Sequence, residues 1–343
     1  MSGRNDDLGG TAKGAGVSAG PSSIGSRAYR RGPHWVAVLA AVFTLPLLFV
    51  GGSVTTYGVG MAVPDWPTTF GMNMFLYNFW NKPFGVQVEH THRLYASAVG
   101  LATIFLFGWF LAREPRRGPR VLGGAALFTV IVQGILGGLR VSQISTQLAA
   151  LHGCLAQAFF AMMVALAVVT GRDWLSDAPR SPDAKRVRLL ATIALAIVYG
   201  QVALGAWVRH FGGLNIGLVH GGVALVILGL AIALLLRVRG GGSAGRSLTT
   251  AAWVLVVLSV LQISLGLASF IILLPLDGIP RAVGFYQAVT RTAHQTNGAV
   301  LLAASLVLTL RAFRHLGPAA IAEPSNSAAS PSPTDRTKLE VVS

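Results

Sequence analysis

The sequence predicts an all-α integral membrane protein whose eight transmembrane helices form two repeated four-helix bundles. Three observations carry this. Hydrophobic residues fill 53% of the 343 positions and charged residues 11%, too apolar for a soluble globule and unlike a disordered chain. Eight stretches contain no Asp, Glu, Lys or Arg, each about long enough to cross a ~30 Å hydrocarbon core at 1.5 Å per residue. A pattern of Gln, Leu-Gly and His recurs along the chain, the mark of an internal repeat.

The spans are residues 35–55, 94–112, 121–139, 148–171, 189–208, 211–236, 247–274 and 292–310. Basic clusters or polar segments bound them. Arg30 and Arg31 precede the first, and the long segment 56–88 separates it from the second. Lys and Arg are unevenly shared: segments 4–31, 113–120, 172–188, 237–246 and 311–338 hold 21 of the 27, and the alternate loops hold only Lys82, Arg93, Arg140, Arg209, Arg281 and Arg291. That asymmetry sets topology. It predicts a multi-pass protein of the cell (inner) membrane with both termini cytoplasmic. The net charge of +15 therefore reflects lipid and orientation, and no nucleic-acid partner is expected. No signal-peptide pattern precedes the first span.

The expected division is a disordered cytoplasmic segment 1–33, an N-terminal half 34–172, a linker 173–188, a C-terminal half 189–314 and a disordered tail 315–343. The single cysteine, Cys154, excludes an intrachain disulfide and any Cys-built metal site; it reads as a small buried residue.

The repeat places histidines. "QGILGGLR" (133–140) and "QVALGAWVR" (201–209) are each followed by a short outer loop and a histidine opening the next span, and both Gly137 to His152 and Gly205 to His220 are fifteen residues. "QISLG" (262–266) leads to His294, and a weaker copy, "FVGGSVTTYG", leads to "EHTHRLY" with His90 and His92. Spans 2, 4, 6 and 8 run in the same direction, so His92, His152, His220 and His294 all lie near the outer face. His90 and His92, two apart, point to nearly opposite sides of a helix, whereas Glu89 and His92, three apart, share one. His92 is therefore the inward candidate, and Glu89 can also pair with Arg93.

One imidazole from each of two neighbouring helices can hold a haem iron from both sides, and two halves give two such sites. Gly137, Gly138, Gly205, Gly221 and Gly222 would leave room for a flat macrocycle, and Arg140 and Arg209 would meet its propionates. Blander readings stand beside these. Glycine pairs also let helix backbones approach, the arginines can snorkel to water, Gln133, Gln201 and Gln262 can be interhelical glue, and Trp66, Trp80 and Trp207 fit an interfacial belt. His210 and His315 stand outside the repeat.

"GGSVTTYGVGMAVPDWP" after the first span, "EHTHR" opening the second, and the histidines opening spans 4, 6 and 8 resemble the haem A synthase family over about residues 35–312. The resemblance implies an oxidoreductase that converts the C8 methyl of haem O to the formyl group of haem A for cytochrome oxidase. It implies haem b (iron) between His220 and His294, the substrate haem between His92 and His152, and a glutamate important for activity at Glu89. Physically, an acid one turn from a ligand can relay protons; a structural bridge to Arg93 is the competing role. Haem O synthase, an electron donor and a second copy of the chain are the implied protein partners. Some members carry a cysteine pair in the first outer loop, and residues 56–88 contain none, so no such pair can act here. The alternatives are a bis-histidine haem b cytochrome that only carries electrons and a cofactor-free transporter. The latter would place polar residues near the bilayer midplane, where these spans have almost none.

Overall fold

The computed structural model describes residues 29–175, 180–181, 183–239, 242–273 and 283–318. Of the extensions expected to be disordered, 1–33 and 315–343, residues 1–28 and 319–343 lie outside the described residues, as does Arg281, whereas Arg31 to Pro33 and His315 are helical because the first and last helices run past their apolar stretches. Among the described residues, eight long helices make up the fold: α1 (Arg31–Thr56), α2 (Phe84–Arg113), α3 (Arg117–Ser142), α4 (Thr146–Thr170), α5 (Ala184–Phe211), α6 (Leu214–Val238), α7 (Gly242–Leu273) and α8 (Phe285–His315). All eight are long and apolar enough to cross a membrane, and the protein is a multi-pass membrane protein. Leu101, Phe128, Leu189, Leu225 and Val257 are exposed along their lengths, a surface that suits lipid and not water. A two-residue parallel pairing, Arg180–Ser181 with Gly317–Pro318, is a minor departure from an all-helical chain.

The contacts are consistent with two four-helix units. In the first, α1 packs on α2, α2 on α3, α3 on α4, and α4 back on α1; in the second, α5 through α8 close in the same order. The units meet through α4 with α8, α1 with α8, and α4 with α5. Exchanging the two halves turns the α1–α8 contact into the α5–α4 contact, as a repeat of parallel topology requires. One apolar core, including Ala37, Leu106, Phe110 and Met163, fills the first unit. The other, including Leu234, Leu255 and Leu308, fills the second and extends to Leu48 and Phe160 of the first.

Several helices outrun their apolar stretches. α2 begins at Phe84, ten residues before Leu94, and α8 at Phe285, seven before Thr292; in α2 the polar first turns find partners in the outer segment, Gln87 at the Trp80 and Lys82 carbonyls and Glu89 at the Val63 amide. His92 and His294 consequently sit in the third turn of their helices, while His152 and His220 sit in the second. Phe211 closes α5 instead of opening α6: the break falls at Gly212 and Gly213, whose φ values of 72° and 104° suit only glycine. Ser145 starts α4 sharply, its hydroxyl accepting from the Leu148 amide at 3.2 Å, an N-cap. Arg140 and Arg209, expected in loops, lie in the last turns of α3 and α5.

Candidate haem-binding sites

Within each closed ring of four helices, α2 stands across from α4 and α6 across from α8, and these are the helices that carry the four histidines. His92 and His152 face each other with ring centroids 6.5 Å apart and planes at 73°. His220 and His294 repeat the arrangement at 6.2 Å and 74°. Metal–imidazole bonds are about 2.0–2.1 Å long, which puts two rings flanking one metal roughly 6 Å apart between centroids. Both separations fit. Among the described residues no group of three or more His, Cys, Asp or Glu can hold a metal ion. A metal at either pair must therefore bring its remaining ligands with it, as iron in a tetrapyrrole does. His152 and His220 each bury an Nδ1 without a hydrogen-bond partner.

Glycine makes these positions possible. A Cβ on Gly51, Gly137, Gly205 or Gly266 would come within 2.9, 3.2, 3.0 and 2.9 Å of the rings of His92, His152, His220 and His294 respectively. The sequence offered Gly137 and Gly205 as space for a macrocycle; they are seats for histidine rings. Gly138 serves neither purpose, since its Cβ would strike the Trp66 indole at 2.3 Å, and so Trp66 docks the outer segment onto α3. Gly221 and Gly222 have nothing within 4 Å and remain compatible with a planar ligand.

His294 is the most firmly held. Its Nδ1 donates to the Gln262 carbonyl at 3.1 Å, and the Gln262 amide nitrogen lies 3.3 Å from its Nε2. Asn297 donates to Gln262 Oε1 at 2.7 Å and to the Leu258 carbonyl. Such bonds fix tautomer and ring direction in a metal ligand. Gln201 donates to the His220 carbonyl at 2.6 Å. Gln201 and Gln262 are interhelical bridges, whereas Gln133 buries its Oε1 without a partner.

Arg140 donates to the Gly60 carbonyl at 3.2 Å. Arg209 reaches from α5 into the other unit, donating to the Gly52 carbonyl at 2.7 Å and to Thr56 Oγ1 at 2.6 Å. Its buried Nε has no partner. Arg291 is close enough for its charge to repel that of Arg209, and neither pairs with a carboxylate among the described residues. The sequence reading left Arg291 out; its place three residues before His294 was the available signal.

Glu89 is fully engaged. Oε1 accepts from Arg93 at 2.8 Å and Oε2 from the Val63 amide at 2.9 Å. Arg93 also donates to the carbonyls of Val63, Asp65 and Thr68. The Asp65 carboxylate closes the turn beyond, accepting from Thr68 Oγ1 and from the Phe70 and Gly71 amides. Together these bonds pin residues 63–71 to α2. His90 belongs to this anchor: it is buried among Tyr77, Phe79 and Thr69, facing away from His92's pocket. Cys154 is half-buried and free.

A family model described as cytochrome oxidase assembly protein (COX15-CtaA) matches residues 34–217, just over half of the chain. The match includes His92 and His152 and stops three residues before His220. Three relatives are named heme A synthase. One from Shewanella oneidensis is 22% identical over 191 residues, 50% of this chain and 56% of its own length. One from Rhodopseudomonas palustris strain HaA2 is 27% identical over 210 residues, 51% of this chain and 55% of its own. Another, from R. palustris strain BisA53, is 26% identical over 223 residues, 55% and 59%. The matches thus span a little over half the length of these relatives.

Proposed function

The chain belongs to the COX15-CtaA family of cytochrome oxidase assembly proteins, and from that premise we propose that it is a haem A synthase, oxidising the C8 methyl of haem O to the formyl group of haem A. The observation that carries the reading is the facing histidine pair in each half, at 6.5 and 6.2 Å. The His220–His294 pair would hold haem b, which when bound supplies reversible one-electron transfer. The His92–His152 pair would take haem O as substrate.

The surrounding residues have defined tasks in this proposal. Gln262 keeps His294 in one tautomer through the Nδ1 bond, so that Nε2 carries the lone pair, and the Gln262 amide nitrogen now 3.3 Å from Nε2 would give way to iron there. Arg209 offers an unpartnered Nε beside Arg291, and Arg140 lies at the same rim of the first unit; such guanidinium groups suit propionate carboxylates. Glu89, one turn from His92, takes part in proton relay at the outer boundary while tied to Arg93 and the Val63 amide. Both termini face the cytoplasm across the cell inner membrane, by the distribution of Lys and Arg.

The deciding experiment extracts haems from cells that supply haem O, with and without this gene. Haem A is expected only with the gene. Haem O that stays unconverted beside an intact haem b spectrum would instead leave an electron-carrying cytochrome.

A further inference from the structure

The end of the bundle opposite the histidines holds a groove that the haem reading does not use. It lies between the start of α1 and the end of α2, with a volume of about 540 Å³, and is lined by Arg30, Arg31, Gly32 and Pro33 on one side and Trp109, Ala112 and Arg113 on the other. Gly32 stands 19 residues before Gly51, the seat of His92, which is about 28 Å of helix at 1.5 Å per residue. The groove is a separate site.

Its donors suit an anion at the boundary between water and apolar surface. Arg30, Arg31 and Arg113 are exposed, and none pairs with a carboxylate among the described residues, where the ion pairs are Arg93 with Glu89 and Arg116 with Glu114. Glu114 feels the charge of Arg30, but Arg116 takes both its carboxylate oxygens. Trp109 buries its Nε1 with no hydrogen-bond partner; an indole N–H can only donate, and leaving it unpaired is costly. Gly32 brings α1 against that edge, since a Cβ there would lie 3.1 Å from the ring and 3.4 Å from Nε1. The first turn of α1 adds amides with no side-chain cap and no acid beside them, the positive end of a helix. Toward the middle of α2 the same side turns apolar: Phe105, one turn before Trp109, meets its ring edge-on and is 56% exposed. Arginine, indole and phenyl thus follow one another a turn apart, in the order of headgroup, interface and acyl chain.

We propose that this groove binds one anionic phospholipid, its phosphate oxygens accepting from Trp109 Nε1 and the three guanidinium groups and its acyl chains lying along Phe105. A free phosphate offers the same oxygens but nothing for the exposed Phe105 face, so the lipid is the better match. The proposal does not rest on the haem reading.

Native mass spectrometry of the detergent-purified full-length protein, titrated with phosphatidylglycerol, phosphatidylcholine or inorganic phosphate, tests this. One phosphatidylglycerol should be held at least about tenfold more tightly than phosphatidylcholine, because the arginines act on its net charge. Arg31→Gln combined with Arg113→Gln should abolish that preference. Trp109→Phe keeps the ring and removes the donor, and should weaken both lipids about tenfold, since both carry a phosphate. Arg186→Gln combined with Arg237→Gln, at exposed positions of α5 and α6 at the same end of the bundle, should change neither. Equal binding of the two lipids, an equal loss of preference in the α5 and α6 variant, or lipid binding unmoved by Trp109→Phe overturns the proposal. Displacement of phosphatidylglycerol by millimolar inorganic phosphate overturns it as well, leaving a small-anion pocket.

Discussion

Glu89 and Arg93 form a 2.8 Å ion pair one turn apart on α2, and each uses its remaining capacity on the outer segment instead of on the helix. Arg93 serves four acceptors in all, with Asp65, Thr68 and Val63 giving backbone carbonyls. The Val63 amide closes the circuit on Glu89. In a chain without loop cysteines, this node fastens the first outer segment to α2, beside the Trp66 contact at Gly138 and the Arg140 bond to Gly60 on α3.

Replacing Glu89 with Gln should leave haem b bound and cause haem O or a partly oxidised haem to accumulate. The amide oxygen can still accept from Arg93, but its NH2 group meets the Val63 N–H donor to donor, and the titratable group is gone. Losing a hydrogen bond to a charged group costs about 1.5–3 kcal/mol, enough to loosen residues 63–71 without unfolding eight helices. Pigment extraction measures the outcome. Haem A made at the normal rate by Glu89→Gln would reduce Glu89 to an anchor.

Replacing either His220 or His294 should convert a low-spin six-coordinate haem b into a high-spin one or remove it. Each pair supplies only two protein ligands, and no third His, Cys, Asp or Glu stands by among the described residues. Electron paramagnetic resonance of the oxidised protein reads this directly; unchanged spectra in both variants would place the ligands elsewhere.

Gly266→Ala separates helix stability from ligand placement. Alanine favours a helix over glycine by roughly 0.5–1 kcal/mol, which offsets part of the cost of displacing the ring, so the apoprotein should stay folded. Yet the added Cβ would stand 2.9 Å from His294 Cε1, inside van der Waals contact, and the ring must move. Haem b content should fall by about tenfold, in the range of lost ligand support. Full haem b retention would show that the seat can give.

Legibility differed sharply between elements. The eight spans follow from hydropathy, and the four histidines from the repeat, with the fifteen-residue spacing marking His152 and His220, since a repeat places equivalent residues at equivalent depth. The exact helix starts did not follow: the spacing of Glu89, His92 and Arg93 reads as helical, but the turn from Phe84 to Val88 lies outside any apolar stretch and is explained only by the partners Gln87 finds at Trp80 and Lys82. Gly138 could not be told from Gly137 by type, and only tertiary contact assigns one to Trp66 and the other to His152. Arg209 bonding to α1 of the other unit was invisible for the same reason, because no local pattern encodes a contact 157 residues away.

Topology is open to a direct check. With 21 of 27 Lys and Arg in alternate segments, reporter fusions after the last helix and near Lys82 should report opposite sides of the membrane. An external C-terminus with a cytoplasmic Lys82 loop would move the histidine pairs to the cytoplasmic face, and the same side for both would overturn the seven crossings between them.

Asp65 gives the outer segment an acid-dependent anchor. Burial by itself raises the carboxyl's pKa, but the Gly71 amide, the Thr68 hydroxyl and the Phe70 amide outweigh it and hold the value below the ordinary 3.8. A carboxyl depressed on folding adds stability that is fully present above its unfolded pKa and is lost as pH falls through the lower folded value. Hydrogen exchange at the amides of Phe70 and Gly71, corrected for intrinsic rates, should therefore stay slow from neutral pH down to about 4 and quicken below it. Asp65→Asn keeps the shape without the charge. It should show weaker protection at neutral pH and no acid step, because nothing at that position titrates. An acid step of equal size in Asp65→Asn would assign the pH dependence to another group.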